Sequence, residues 1–281
     1  MKLLITGASG FLGGRAARSF REKYKILTPT HARLDLTDGA AVEAFCRAER
    51  PDLVLHCAAV SDTGACQREP DRSRAINVEG AAHIARAAGL MGAKCVLCSS
   101  DQVYFGSSEQ TPHREDEVLT PRNVYGQQKL EAEARCLAVN PESVLLRLSW
   151  MYDGATLWAG EHGDFLRTLL PKLRAGEKGS YPVHDRRGIT QVYEVIQNME
   201  RAFALPGGVY NFGAPNDCST YELMERVFDR LRLDRSLLEP NGAAFADGPR
   251  NLCMDQSRLN RAGIAFSSTE EGLVRAIRDK L

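Results

Sequence analysis

Seven residues near the N-terminus constrain this chain more than any others. Gly7-Ala8-Ser9-Gly10-Phe11-Leu12-Gly13 follow directly on an apolar run over residues 2–6 and open a helical pattern over residues 11–22. A strand, a glycine turn and a helix in immediate succession form the context in which a backbone cradles the pyrophosphate of a dinucleotide. Gly7 permits the tight turn, Gly10 lets backbone amides approach the phosphates, and Gly13 allows close packing of helix on strand. The helix N-terminus adds N–H groups and a favourable dipole. Gly7, Ser9, Gly10, Phe11, Leu12 and Gly13 are therefore the expected phosphate-binding residues.

Downstream, short apolar runs alternate with helical patterns, which implies a parallel sheet. Strands are expected at 24–28, 52–56, 93–98 and 143–148. Helices are expected at 38–49 with Thr37 as N-cap, at 71–91, and from about Pro121 to about Val139. Beyond residue 150 the alternation weakens to helices near 165–175, 192–204, 220–231 and 270–280 and a strand at 209–212. The reading is a Rossmann-type doubly wound α/β fold. Residues 1–150 form the NAD(P)-binding domain, and 151–281 form mainly a smaller substrate-binding region, part of 185–215 returning to the first domain.

Composition narrows the function. Lys plus Arg and Asp plus Glu are 36 each, a formal net charge of zero, which argues against a nucleic-acid partner. No apolar run reaches the ~18 residues of a membrane span, and four apolar residues before the first turn are too few for a signal-peptide core. A cytoplasmic protein with no membrane partner is expected. Eight cysteines are sparse for a disulfide framework and sit in apolar segments, so they read as free buried thiols. Cys95 and Cys98 are three apart on a strand and point to opposite faces. The six histidines form no spacing pair that suggests a zinc site, so no metal is expected.

A dinucleotide fold that prefers NAD carries an acid about 20 residues after the glycine turn. Here the second strand runs into Thr28-Pro29-Thr30-His31-Ala32-Arg33 without one. His31 or Arg33 suits a 2′-phosphate, so NADP(H) is preferred over NAD(H), which stays a possible cofactor. Tyr125-Gly126-Gln127-Gln128-Lys129 sets a phenol and an ammonium four apart on one helical face. A nearby ammonium is expected to lower the phenol pKa towards the range useful for acid–base work. Ser99-Ser100-Asp101-Gln102-Val103-Tyr104 emerges from the fourth strand at the carboxyl edge, where open α/β sheets bind ligands.

Together these segments resemble the extended short-chain dehydrogenase/reductase superfamily and, within it, the dTDP-4-dehydrorhamnose reductase family. Leu34-Asp35-Leu36-Thr37-Asp38, His56-Cys57-Ala58-Ala59-Val60, Ile76-Asn77-Val78-Glu79-Gly80, Asn123-Val124-Tyr125-Gly126 and Arg147-Leu148-Ser149-Trp150-Met151-Tyr152 carry the likeness across nearly the whole chain. The resemblance implies a reductase of a nucleotide-linked 4-keto sugar. Tyr125 would protonate the substrate oxygen, Lys129 would hold the nicotinamide ribose and tune Tyr125, and Ser100 would bond the carbonyl. Arg33, Asp35, Leu36, Cys57, Ala58 and Ala59 would border the cofactor. Asp101, Val103 and Trp150, with Ser100, would line the sugar site. The chain departs from the family pattern at Asp164-Phe165, at Asp185-Arg186-Arg187-Gly188-Ile189-Thr190-Gln191 and at 155–162, which includes Trp158; these segments would shape the sugar pocket. A non-catalytic NADP-binding regulatory subunit and a nucleotide-sugar epimerase stay open as alternatives, and so does a homodimer.

Overall fold

The computed structural model describes residues 1–107, 109–154 and 164–281; the segment around Trp158 lies outside them. Along the chain come β1 (Lys2–Thr6), α1 (Phe11–Phe20), β2 (Lys25–Leu27), α2 (Gly39–Glu49), β3 (Leu53–His56), α3 (Thr63–Arg68), α4 (Pro70–Arg74), α5 (Ala81–Met91), β4 (Lys94–Ser100), α6 (Val124–Val139) and β5 (Val144–Leu148). Then follow β6 (Trp150–Tyr152), α7 (Phe165–Ala175), β7 (Gly179–Pro182), β8 (Asp185–Arg187), β9 (Ile189–Gln191), α8 (Val192–Ala202), β10 (Gly208–Phe212), α9 (Thr220–Leu231), β11 (Leu238–Asn241), β12 (Arg250–Leu252), α10 (Ser257–Arg261) and α11 (Thr269–Arg278). The chain divides into two compact units. One comprises Met1–Val103, Pro121–Leu148 and Ile196–Tyr210, the other Tyr104–Thr120, Ser149–Val195 and Asn211–Leu281.

The main sheet has six strands in the order β10-β5-β4-β3-β1-β2. β1 pairs in parallel with β2 and β3, β3 with β4, and β4 with β5. The order grows outward from β1 in both directions, so it reverses between β1 and β3. Such a reversal opens a crevice at the carboxyl ends of the strands. Leu3, Leu4, Ile5, Val54, Leu55 and Val96 are fully buried, as parallel strands covered on both faces require. Small residues of α5, Ala81, Ala85 and Ala88, let that helix pack closely with Leu4, Val54, Cys95, Cys136 and Leu145.

Several element ends differ from the sequence expectation, each for a local reason. Asp38, not Thr37, caps α2, because its carboxylate accepts from Ala40 N and Ala41 N at 3.0 Å while the Thr37 hydroxyl turns to Asp35. β4 runs on to Ser100 because its ladder continues to Leu148 of β5. α6 starts at Val124, capped by Asn123, whose side chain accepts from Gly126 N at 2.6 Å. The helical stretch before α5 contains a widened π-type turn, Ala75–Gly80. It carries Asn77, whose amide bonds both Val60 backbone groups and the Gln128 side chain.

In the second unit three short parallel pairs replace a sheet: β6 with β9, β8 with β12, and β7 with β11. Its core gathers Tyr152, Leu166, Leu169, Ile189, Met224, Val227, Phe228 and Leu273.

Candidate active site

The glycine turn and the segment after β3 meet at the reversal between β1 and β3. Gly7 has φ +69°, and a Cβ there would lie 2.6 Å from Ala58 N; at Gly13 it would lie 2.4 Å from Gly7 O. Neither position has room for a side chain. Gly10 N donates to Gly7 O at 3.0 Å, which closes the turn. Ser9 and Gly10 are exposed, Phe11 is half-buried, and Leu12 is buried. α1 has no side-chain cap, so its first N–H groups are left for an anion. This cradle fits a dinucleotide pyrophosphate. Cys57, Ala58 and Ala59, half-buried, follow β3 on the other side of the turn.

In the turn that follows β2, Arg33 is exposed and pairs with Glu49 Oε1 at 2.6 Å. Residues 28–33 themselves carry no acid; the fold brings one from the end of α2. An exposed pair of this kind is worth about 0–1 kcal/mol, so an incoming phosphate can take Arg33 from it at little cost. Asp35 is exposed and accepts from Thr37 N and Oγ1 at 2.9 and 2.7 Å. Its neighbour Leu36 is half-buried, its carbonyl bonded to His83 Nδ1 at 2.9 Å.

Ser100, Tyr125 and Lys129 come together between the carboxyl end of β4 and the first turns of α6. Gly126 makes this close approach possible, because a Cβ on it would lie 2.3 Å from Gln102 O. The Asn123 amide adds a bond to Gln102 Oε1 at 3.0 Å. Tyr125, Ser100 and Lys129 are 8%, 8% and 5% exposed. The Ser100 hydroxyl donates to Asp101 Oδ1 at 3.3 Å and accepts from Gln102 N at 3.2 Å. Lys129 Nζ donates to Cys98 O at 2.9 Å and lies 5.7 Å from the Tyr125 ring centre.

Burial pushes the Tyr125 phenol well above its ordinary range, against the opposing influence of the nearby Ser100 hydroxyl. The expectation that Lys129 lowers it is not met in this arrangement: the ammonium is held by a carbonyl, and burial outweighs the other influences. Burial also lowers the Lys129 ammonium, and it brings His56 down to about 3. Asp101 and Val103 are 2% and 1% exposed.

One buried cluster had no sequence signal. Glu133, one turn beyond Lys129, accepts from Ser99 Oγ at 2.5 Å and from Arg147 Nε and Nη2 at 3.0 and 2.7 Å. It ties α6 to β4 and β5 from beneath. Only tertiary pairing reveals it, since the three residues belong to three different elements.

In the second unit, Trp150 is 40% exposed. Its ring meets Phe165 edge-on, and the Arg187 guanidinium lies 4.9 Å from its centre. These residues help line a cavity of about 310 Å³ with Tyr181, Asp185 and Arg250. Arg250 Nε bonds Asp185 Oδ1 at 2.7 Å, and its guanidinium rests 4.2 Å from the Phe245 ring centre. The segment expected to shape a sugar pocket is thus split. Asp185 and Arg187 line the cavity, whereas Thr190 is buried, bonding Ser149 Oγ and Ala214 N, and Gln191 caps α8. Asp164 likewise caps α7 and accepts from Asp153 N. Among the described residues no group of three or more His, Cys, Asp or Glu is placed to hold a metal ion.

A family model described as RmlD substrate binding domain matches residues 1–281. A dTDP-4-dehydrorhamnose reductase of Mycobacterium tuberculosis is 34% identical, covering 86% of this chain and 80% of its own. The methionine adenosyltransferase 2 subunit beta of Xenopus tropicalis is 31% identical over 94% and 83%. Among solved structures, a dTDP-4-dehydrorhamnose reductase from Bacillus anthracis in complex with NADP aligns with a TM-score of 0.85 at 25% identity, covering 99% of this chain and 98% of that one.

Proposed function

This chain belongs to the RmlD substrate-binding-domain family, and from that membership we propose that it is an NADP(H)-dependent oxidoreductase that reduces the keto group of a nucleotide-linked 4-keto sugar, as in dTDP-L-rhamnose synthesis. The observation that carries this reading is the meeting of Ser100, Tyr125 and Lys129 in the unit that also holds the glycine turn.

NADPH, when bound, supplies the hydride that reduces the keto carbon. The protein's own residues handle the charge that builds on the oxygen. Tyr125, kept protonated by burial at neutral pH, donates its Oη proton to that oxygen as a general acid. The Ser100 hydroxyl bonds the same oxygen. Lys129, anchored by the Cys98 carbonyl, faces the phenolate left behind and holds the nicotinamide ribose. In a site this dry each of these charge interactions is stronger than in water. Gly7, Ser9, Gly10, Phe11, Leu12 and Gly13 would hold the pyrophosphate, with Cys57, Ala58 and Ala59 beside it and Arg33, Asp35 and Leu36 at the adenosine. Asp101 and Val103 would support the sugar site.

The cavity beside Trp150 would take the nucleotide diphosphate. Arg187, Arg250 and Lys172 offer positive charge there, and Trp150, Phe165 and Phe245 offer stacking faces. A cytoplasmic location and a homodimer belong to the same proposal. Among the described residues no helix is long and apolar enough to cross a membrane.

The test is NADPH oxidation with a panel of dTDP-, UDP- and GDP-linked 4-keto sugars, in which a dTDP-linked ketone is expected to be reduced. The likeness to methionine adenosyltransferase 2 subunit beta supports a second reading, a subunit that binds NADP without turnover. Tight NADPH binding with no ketone reduced would favour that reading instead.

A further inference from the structure

Two thiols sit where none of the chemistry above needs them. Cys57 follows β3 and Cys98 lies on β4; His56 and Leu97 are register partners on the parallel strands, which makes the two cysteines the next pair. Cys98 Sγ donates to Cys57 Sγ across 3.7 Å. The other six cysteines are buried, whereas these two are half-buried. Both touch the machinery of the site. The Cys98 carbonyl receives Lys129 Nζ at 2.9 Å, and the Cys57 carbonyl carbon would lie 2.8 Å from a Cβ on Gly7.

We propose that Cys57 and Cys98 form a reversible redox modification site, a dithiol whose closure to a disulfide switches off the cofactor site. The effect on the cofactor rests on the NADP(H) reading above. With hydrogen peroxide as the oxidant the reaction balances in two steps. One thiolate attacks a peroxide oxygen, the O–O bond breaks, and hydroxide leaves to become water, giving a sulfenic acid. The second thiolate attacks that sulfur, forms the S–S bond and expels hydroxide, which becomes the second water. Two thiols are oxidised and one peroxide is reduced to two waters; an added dithiol reverses the change by exchange.

Closing the pair brings the sulfurs from 3.7 Å to a bond of about 2.05 Å. The ends of β3 and β4 must absorb that approach. With them move the carbonyl that anchors Lys129 and the backbone packed on Gly7. A misplacement of about 1 Å at a catalytic group can cost about 10²-fold in rate. The bond from Cys98 and burial hold the Cys57 thiol up, so closure should quicken as pH rises and thiolate forms.

The test uses the full chain, titrated with hydrogen peroxide, alkylated and mapped by peptide mass. The expected result is a Cys57–Cys98 cross-linked peptide lighter by two hydrogens, formed more slowly with NADPH present. Turnover should fall by about 10²-fold together with the thermal shift given by NADPH, and dithiothreitol should restore both. Cys98→Ser, or Cys98→Ala if the serine variant folds poorly, is compared with its own untreated form and should resist the same dose. No cross-link at a dose that oxidises the exposed Met1 (71% exposed) overturns the proposal. So does a cross-link that leaves turnover and thermal shift unchanged, or a Cys98 variant that loses activity as the wild type does. If the untreated protein binds no NADPH, the functional reading fails and the switch with it, while the peptide map still decides whether the disulfide forms.

Discussion

The two units hold their working side chains in different ways. In the first, Tyr125 and Lys129 ride on a sixteen-residue helix tied from beneath by an ion pair whose side chains are 3% and 4% exposed. In the second, the cavity beside Trp150 is assembled from strands of three and four residues together with one side of α7. Its central pair, Arg250 with Asp185, is 15% and 7% exposed and braced by an aromatic ring. The proposed proton delivery would tolerate little displacement, and the buried tie beneath α6 suits that demand. A recognition cavity needs shape and charge. It can be built from side chains on short strands and changed by few substitutions.

Breaking the buried tie is the severest test of that contrast. Glu133→Gln removes the carboxylate charge that faces the buried Arg147 guanidinium and should cost about 3–5 kcal/mol, read as a lowered denaturation midpoint at unchanged slope. A loss under about 1 kcal/mol, the range of a surface pair, would remove the contrast. Next in size is the cofactor itself. NADPH at 100 times its dissociation constant should stabilise the protein by about 2.7 kcal/mol, a rise of roughly 5–10 °C in Tm. It should exceed the rise with NADH at equal concentration, and the reverse ranking would contradict the NADP(H) preference.

In the second unit, Asp185→Asn frees Arg250 from its partner. The KM for the nucleotide sugar should shift by about tenfold, or 1.4 kcal/mol, with the NADPH thermal shift unchanged; equal damage to both would mean that the two units do not divide the work. The smallest effect is expected at Arg33. Its replacement by Ala should narrow the NADPH-over-NADH preference by less than about fivefold, since exposed charge pairs contribute about 0.2–1 kcal/mol. An unchanged preference would take Arg33 out of the cofactor site.

What the sequence revealed follows the same divide. Strands buried on both faces read as apolar runs, and a glycine turn between such a run and a helix has few other uses, so the order of the first unit was legible. Tyr125 and Lys129 were legible because a four-residue spacing fixes a helical face. That spacing reports proximity and not burial, which is why the direction of the Tyr125 shift was misjudged. Strands as short as β8 and β9 leave no period to detect. Pairings that depend on register left no local mark either: Cys57 with Cys98, Glu133 with Arg147, Thr190 with Ser149. Thr190 looked like a departure in a sugar pocket; its hydroxyl is spent on the backbone of Ala214.

The central claim is that Tyr125 delivers the proton in ketone reduction. Tyr125→Phe removes only the hydroxyl, so the ring still packs and Lys129 keeps its carbonyl anchor. The most direct measurement is turnover of a dTDP-linked 4-keto sugar by this variant, beside its NADPH dissociation constant. A positioned acid contributes about 10² to 10⁴-fold, so turnover should fall within that range while NADPH binding stays nearly intact. Wild-type turnover by Tyr125→Phe would contradict the account.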